Sequence, residues 1–134
     1  MTRTIIVCSF VVLLVASARW VGRAAQDDPH FTGHSDVLDA KDLSASRRSF
    51  DAGARSAWHT HSKGQVLFVE EGRARVQRKG EPVKEFGAGQ TDYTAPNVAH
   101  WHGATPDRRL VQVALSVGEI KWMDKVTDAE YAGK

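Results

Sequence analysis

Trp58-His59-Thr60-His61-Ser62-Lys63-Gly64-Gln65 is the stretch that decides the fold of this chain. Two histidines stand one residue apart, and an extended strand projects side chains at positions i and i+2 to the same face. His59 and His61 can therefore direct both imidazoles at one point. Gln65 has the same parity and follows a Lys63-Gly64 turn. Since His100-Trp101-His102 repeats the spacing, we expect a small β-barrel around a metal ion held by both clusters.

The composition is that of one small domain. The chain has 134 residues and a formal net charge of +2, so we expect a single core and no nucleic-acid partner. Its one cysteine, Cys8, lies in the leader segment described next. After removal of that leader the chain would have no disulfide, no thiol nucleophile and no thiolate metal ligand.

Residues 1–25 have the pattern of a secretory signal peptide. Met1-Thr2-Arg3-Thr4 is a short basic start, and the run from Ile5 to Ala18 is apolar apart from two serines. That run is shorter than the roughly 20 residues needed to cross a bilayer, and small residues follow it. We predict a periplasmic or secreted protein that does not contact the membrane after cleavage; the alternative is an uncleaved anchor.

Short segments of strand character, separated by glycine or proline, follow an N-terminal arm at residues 26–43. Within the predicted domain, residues 44–134, we place strands at 44–50, 55–61, 65–70, 73–78, 83–86, 90–95, 100–104 and 110–117. Glu71-Gly72 is expected to end the third of them. This rhythm predicts an all-β sandwich or barrel. Thr127-Asp128-Ala129-Glu130 has the form of a capping box, which predicts a short C-terminal helix from Asp128. Trp122 and Met123 are expected to pack that tail onto the body.

The glycines and histidines form a pattern that resembles the cupin family. Gly53, His59, His61, Gln65 and Gly72 have the spacing of its first signature motif, with Gln65 where the family usually has glutamate. The segment from Gly89 to His100 resembles the second motif. It has Pro96 one position late, Asn97 where glycine is common and Ala104 in place of a closing asparagine. The resemblance covers about residues 45–117 and implies a single-domain cupin, a double-stranded β-helix or jelly-roll barrel.

A narrower resemblance is to the bacterial single-domain cupins that include manganese-dependent hydroxynitrile lyases. It rests on three stretches, which are residues 57–65, residues 99–104 and the tail from Trp122 to Tyr131. The resemblance implies four metal ligands, His59, His61, Gln65 and His100. It places His102 in the pocket beside the metal. His102 shares the parity of His100 and should point into the barrel mouth, where we expect it to be the catalytic acid or base; the alternative is a structural hydrogen bond. The resemblance also implies a small-molecule substrate and a homodimer or higher homo-oligomer.

The proposed donor set favours one kind of metal chemistry. Imidazole nitrogens with one amide oxygen suit divalent first-row ions, and we expect manganese, with iron(II) or zinc as alternatives. Because all four ligands are neutral, the site keeps the full +2 charge of the ion. That charge favours Lewis-acid work, such as holding an oxyanion. It gives less support to a high-valent iron state than a carboxylate ligand would.

Two positions depart from the lyase pattern. Gln112 stands on the strand where those lyases carry a further histidine, and an amide cannot take a proton. The base is then either missing or His102. Arg48 shares a strand face with Ser46 and Phe50, a face expected to line the substrate pocket with Gln112. An inward arginine would favour an anionic substrate such as a carboxylate, whereas an outward one would face solvent or join a salt bridge.

We therefore expect an exported metal-dependent enzyme acting on a small oxygen-bearing molecule, of the hydroxynitrile lyase type by resemblance. The alternatives are an Fe(II)-dependent dioxygenase and a non-catalytic cupin that binds metal or a small ligand, because one fold hosts many functions. Trp58 and Trp101 alternate with the histidines and are expected to pack in an outer sheet or subunit interface. His30 and His34 match no motif and are expected to be exposed.

Overall fold

A computed structural model gives the structure of residues 30–134. The predicted leader, residues 1–25, lies outside the described residues. Residues 30–38 belong to a different compact unit from residues 39–134, and they form a turn and exposed chain without regular structure. Within the described part of the chain, no helix is long and apolar enough to cross a membrane.

Eight strands and one short helix make up residues 39–134, which confirms the all-β class with a C-terminal helix. They are β1 (Leu43–Phe50), β2 (Ala57–His61), β3 (Gln65–Arg78), β4 (Lys84–Gly87), β5 (Thr91–Thr94), β6 (His100–Ala104), β7 (Leu110–Val117), β8 (Ile120–Lys125) and α1 (Asp128–Tyr131). The bounds of β6 and β7 are those predicted from sequence. The strand order across the sheet is β1-β7-β3-β6-β2-β8, and β4 and β5 both pair with β3.

The long strand β3 belongs to both walls of the barrel. Its first half pairs with β7 and β5, and its second half pairs with β6 and β4. The expectation that Glu71-Gly72 ends a strand is therefore wrong. A shift in register between Val69 and Glu71 marks a bulge, and Gly72 has a φ of +78°. Together they bend one continuous strand from one sheet into the other.

Apolar side chains fill the end of the barrel where Phe50 pairs with Leu110. One cluster contains these two residues with Val69, Ala74 and Ala104. A second cluster joins Leu67, Val76 and Ala114. Buried polar side chains, among them His59, His61, Gln65 and His100, occupy another part of the interior.

The C-terminal tail differs from the prediction in what holds it. Trp122 and Met123 do not pack the tail down, because they lie on the edge strand β8 and are 59% and 46% exposed. Val126 and Tyr131 do so instead, by packing with Trp58 and Trp101 on the outer face of the sheet. The Tyr131 hydroxyl also donates to the Ala104 carbonyl oxygen at 2.6 Å. The predicted capping box is confirmed between Thr127 and Glu130.

Candidate metal centre

Two neighbouring strands bring three histidines together. β2 supplies His59 and His61 from alternate positions, and β6 places His100 directly opposite His59. Their side chains are at most 3% exposed. One ring nitrogen from each of the three lies within 4.8 Å of the others. This spacing suits a single metal ion. The turn before β6 is anchored by Asn97, whose φ is +60° and whose N–H donates to the His61 carbonyl oxygen at 2.8 Å.

The hydrogen bonds of two of these rings, those of His59 and His100, fix where their protons lie. His59 Nδ1 donates to the Ala57 carbonyl oxygen, and His100 Nδ1 donates to the Val98 carbonyl oxygen, both at 2.9 Å. Because a carbonyl oxygen can only accept, Nδ1 carries the proton and Nε2 of each neutral ring has a free lone pair. Metal-binding histidines are typically oriented in this way.

Gln65 completes a set of four donors. Its Nε2 donates to Ser116 Oγ at 2.9 Å, which leaves Oε1 facing His100 Nε2, also at 2.9 Å. With the His100 proton on Nδ1, both of those facing atoms are acceptors, and a cation between them would resolve the conflict. Within residues 30–134, neither ring nitrogen of His61 has a hydrogen-bond partner, although both are buried. Such unpaired buried groups are costly, so the residues present fit a metal ion.

The electrostatic environment keeps these ligands neutral. Burial is the main cause that lowers the pKa of His59 and His61, and it lowers the pKa of His100 to about 4. Desolvation disfavours the charged imidazolium. All three rings are therefore unprotonated at neutral pH, which is the form that binds a metal.

A cavity of about 210 Å³ lies against the histidine cluster. It is lined by Ser44, Ser46, Arg48, His59, His61, Gln65, His102, Gln112, Ala114, Ser116, Gly118, Ile120 and Trp122. Of the four residues predicted to form the pocket, three line this space, which are Ser46, Arg48 and Gln112. Phe50 lines an adjoining cavity of about 350 Å³, which shares Arg48, His102 and Trp122 with the first.

Six cavity residues were not identified from sequence, which are Ser44, Ala114, Ser116, Gly118, Ile120 and Trp122. Ser44 and Ser116 have the parity of Ser46 and Gln112, and that alternation could have identified them. Trp122 lies on β8, and its ring centroid is 4.9 Å from that of His59. Its position depends on the pairing of β8 with β2, which no local signal in the sequence specified.

His102 stands beside the cluster and is held by Gln112. The Gln112 amide nitrogen is 2.8 Å from His102 Nδ1. Burial, followed by the charges of the neighbouring histidines and Arg48, lowers the pKa of His102 well below its ordinary value. The ring centroid of Phe50 is 6.0 Å from that of His102, in an edge-on arrangement. Because an amide nitrogen can only donate, Nδ1 accepts this bond, and Nε2 of the neutral ring carries the proton that can be donated to a ligand in the cavity.

Comparisons with known proteins agree with this architecture. Residues 46–117 match the cupin domain model. The chain is 35% identical to an (R)-mandelonitrile lyase from Granulicella tundricola over 118 residues, which are 85% of this chain and 87% of that protein.

Solved structures give the same result. A cupin-like protein from Thermotoga maritima is 37% identical, with a TM-score of 0.65 over 67% of this chain and 71% of that chain. A double-stranded β-helix protein from Klebsiella pneumoniae is 20% identical, with a TM-score of 0.57 over 66% and 81% of the two chains, and it shows the fold alone. The predicted double-stranded β-helix is thereby confirmed, and the chain belongs to the cupin family.

Proposed function

We propose that this protein is a metal-dependent lyase that cleaves a carbon–carbon bond in a small hydroxylated molecule, as hydroxynitrile lyases do. The observation that carries the proposal is the place of His102, whose ring centroid is 5.2 Å from that of His59 in a shared cavity. A proton-transfer group thus stands next to the candidate metal ligands. The 35% identity to (R)-mandelonitrile lyase supports the same reaction class.

His59, His61, Gln65 and His100 would hold a divalent first-row ion. We propose manganese, with iron(II) or zinc as the alternatives. When bound, the ion would act as a Lewis acid that stabilises negative charge on a substrate oxygen. The neutral donor set supports this role because no ligand carboxylate offsets the charge of the ion.

A side chain of the protein would transfer the hydroxyl proton of the substrate. Cleavage of a cyanohydrin removes the hydroxyl proton, turns the C–O bond into a carbonyl and releases the C–CN bonding electrons with cyanide, which then takes up a proton. For His102 Nε2 to act as the base, the ring proton must lie on Nδ1. This requires the Gln112 amide to turn so that its Oε1, which has no hydrogen-bond partner among the described residues, accepts a hydrogen bond from Nδ1. Nε2 would then accept the hydroxyl proton and return it to cyanide, so the ring is regenerated. Gln112 holds the ring through Nδ1 and cannot itself exchange a proton. The lowered pKa of His102 keeps it unprotonated before each cycle.

The test is release of benzaldehyde and hydrogen cyanide from mandelonitrile by the manganese-loaded protein without oxygen. We expect His102→Ala to lower kcat/KM by about 100-fold or more, the usual effect of losing a general acid or base, with its metal content unchanged. His59→Ala should lose both metal and activity. His34→Ala is the matched control, because His34 is exposed, pairs with Asp36 and lies outside the cluster.

Other outcomes would assign other functions. Oxygen consumption by the Fe(II)-loaded protein, without cyanide release, would contradict the lyase and support a dioxygenase. Metal binding without either activity would indicate a binding protein. Export remains a separate prediction that rests on the leader pattern of residues 1–25.

A further inference from the structure

Arg48 is a solvent-exposed side chain that also lines two cavities. It lies on β1 with the parity of Ser46, and it lines both the cavity at the histidine cluster and the adjoining cavity. Its direct cross-strand partner is Gln112, the residue that holds His102. The guanidinium is therefore close to the space that a ligand would fill, at the junction between the two cavities.

Arg48 also lacks the ion pair that every other described arginine has. Residues 30–134 contain eight arginines. The other seven each pair with a carboxylate, namely Arg47 with Glu70, Arg55 with Asp128, Arg73 and Arg75 with Glu85, Arg78 with Asp92, Arg108 with Asp107, and Arg109 with Glu71. No carboxylate of the described chain is within ion-pair distance of Arg48. The chain thus leaves one guanidinium free at the wall of the cavity.

The rest of the lining offers this guanidinium no compensating charge. Among the described residues, neither Asp nor Glu lines either cavity. Arg55, the other cation beside the adjoining cavity, is already paired with Asp128. The histidines and Gln65 are neutral, and a bound divalent ion would add positive charge. The cavity therefore has an excess of positive charge that favours an anion.

We infer that Arg48 binds a carboxylate group of the native ligand, a small hydroxy acid whose hydroxyl oxygen lies at the histidine cluster. A planar guanidinium matches a planar carboxylate through two parallel hydrogen bonds. One unpaired guanidinium, without a lysine in either lining, fits one negative charge better than a phosphate. The inference rests on the proposed function only in that it takes the same cavity as the substrate site.

The test compares two probes that differ only in charge, mandelate and its neutral isostere mandelamide. Isothermal titration calorimetry on the manganese-loaded protein should show mandelate binding about tenfold or more tightly than mandelamide, as expected for a charge-assisted pair. Arg48→Gln should abolish that preference while leaving mandelamide affinity within about twofold. Arg47→Gln is the matched control, because Arg47 is the adjacent arginine, faces outward and pairs with Glu70. It should keep the full preference.

Two results would overturn the inference. One is equal affinity of the wild-type protein for both probes. The other is a preference for mandelate that survives in Arg48→Gln, which would mean that another group, such as the metal, binds the carboxylate. If that variant folds poorly by circular dichroism, Arg48→Met gives the same test, since it also removes the charge and the donors, and an unchanged preference would again be contrary. Because binding is read without turnover, the lyase proposal can fail independently.

Discussion

Gln65 decides the character of the candidate metal centre. A glutamate at this position would give the ion a negative ligand, whereas the amide leaves the donor set neutral. Ser116 Oγ accepts a hydrogen bond from the Gln65 amide nitrogen, and this bond turns Oε1 of Gln65 towards His100. Gln65 on β3 is therefore oriented by Ser116 on β7 and faces His100 on β6. The donor set of the candidate metal site depends on hydrogen bonds among these three strands.

The metal-free protein should lose stability as the pH falls from 7 to 5. The ordinary histidine pKa is 6.5, and that of His100 in the folded protein is about 4. Between these values the unfolded chain binds the proton and the folded chain does not, so the free energy of unfolding decreases with falling pH. His100 alone should account for a loss of about 2 kcal/mol over this range. The pKa values of His59 and His61 are lowered too and add to it.

Urea unfolding of the chelator-treated protein at several pH values measures this slope. Most carboxylates remain ionised above pH 5, so the change in that window reports mainly the histidines. His34→Ala, outside the cluster, should show the same slope as the wild-type protein. A flat stability profile from pH 7 to pH 5 would show that the cluster is not held neutral by burial.

At the scale of elements, β3 depends on Gly72 to serve both sheets. Gly72 has a φ of +78°, and a Cβ there would collide with the Arg109 carbonyl oxygen. Gly72→Ala should therefore cost about 3 kcal/mol or more, from the left-handed backbone and the clash together. Gly80 is the matched control, since its φ is +83° and a Cβ there would meet nothing within 4 Å. Gly80→Ala should cost only about 1 kcal/mol. Urea unfolding of both variants checks the difference, and equal losses would rule out the clash.

Elements with a local signal could be predicted from the sequence, and those fixed by distant contacts could not. The apolar run of β7 and the capping box of α1 were identified because each is complete within a few residues. Glu71-Gly72 has the composition of a turn, yet pairing with β7 and β6 on either side keeps the strand continuous. The strand β8 was missed because its mixed polar and apolar residues match an edge strand and a loop equally well.

The same distinction applies to the site. Strand parity alone indicated that His59 and His61 face one point, and the structure places them together with His100. The place of Trp122 in the cavity follows from the pairing of β8 with β2, which is long-range information. The sequence could not predict that Arg48 lacks an ion pair either, because this depends on where every carboxylate of the described chain lies.

At the scale of the whole molecule, the outer face of one sheet carries a contiguous apolar surface. It consists of Leu43, Val66, Phe68, Tyr93, Val113 and Leu115. Leu115 and Tyr93 both pair with Val66 across neighbouring strands. Four of these side chains, those of Leu43, Phe68, Tyr93 and Leu115, are between 39% and 58% exposed. An exposed surface of this kind usually marks an interaction site.

A homodimer or higher homo-oligomer is expected from the sequence, and we predict a dimer in which a second copy of the chain packs on this surface. A two-fold dimer needs one face that complements itself, and the Arg47–Glu70 ion pair offers both signs of charge beside the apolar side chains. Light scattering coupled to size exclusion should therefore give twice the mass of the chain. Phe68→Glu should give the single-chain mass, because it would bury an unpaired charge. Met123→Glu, on the exposed part of β8, should remain dimeric. A monomeric wild-type protein, or dissociation by Met123→Glu alone, would show that this face does not pair.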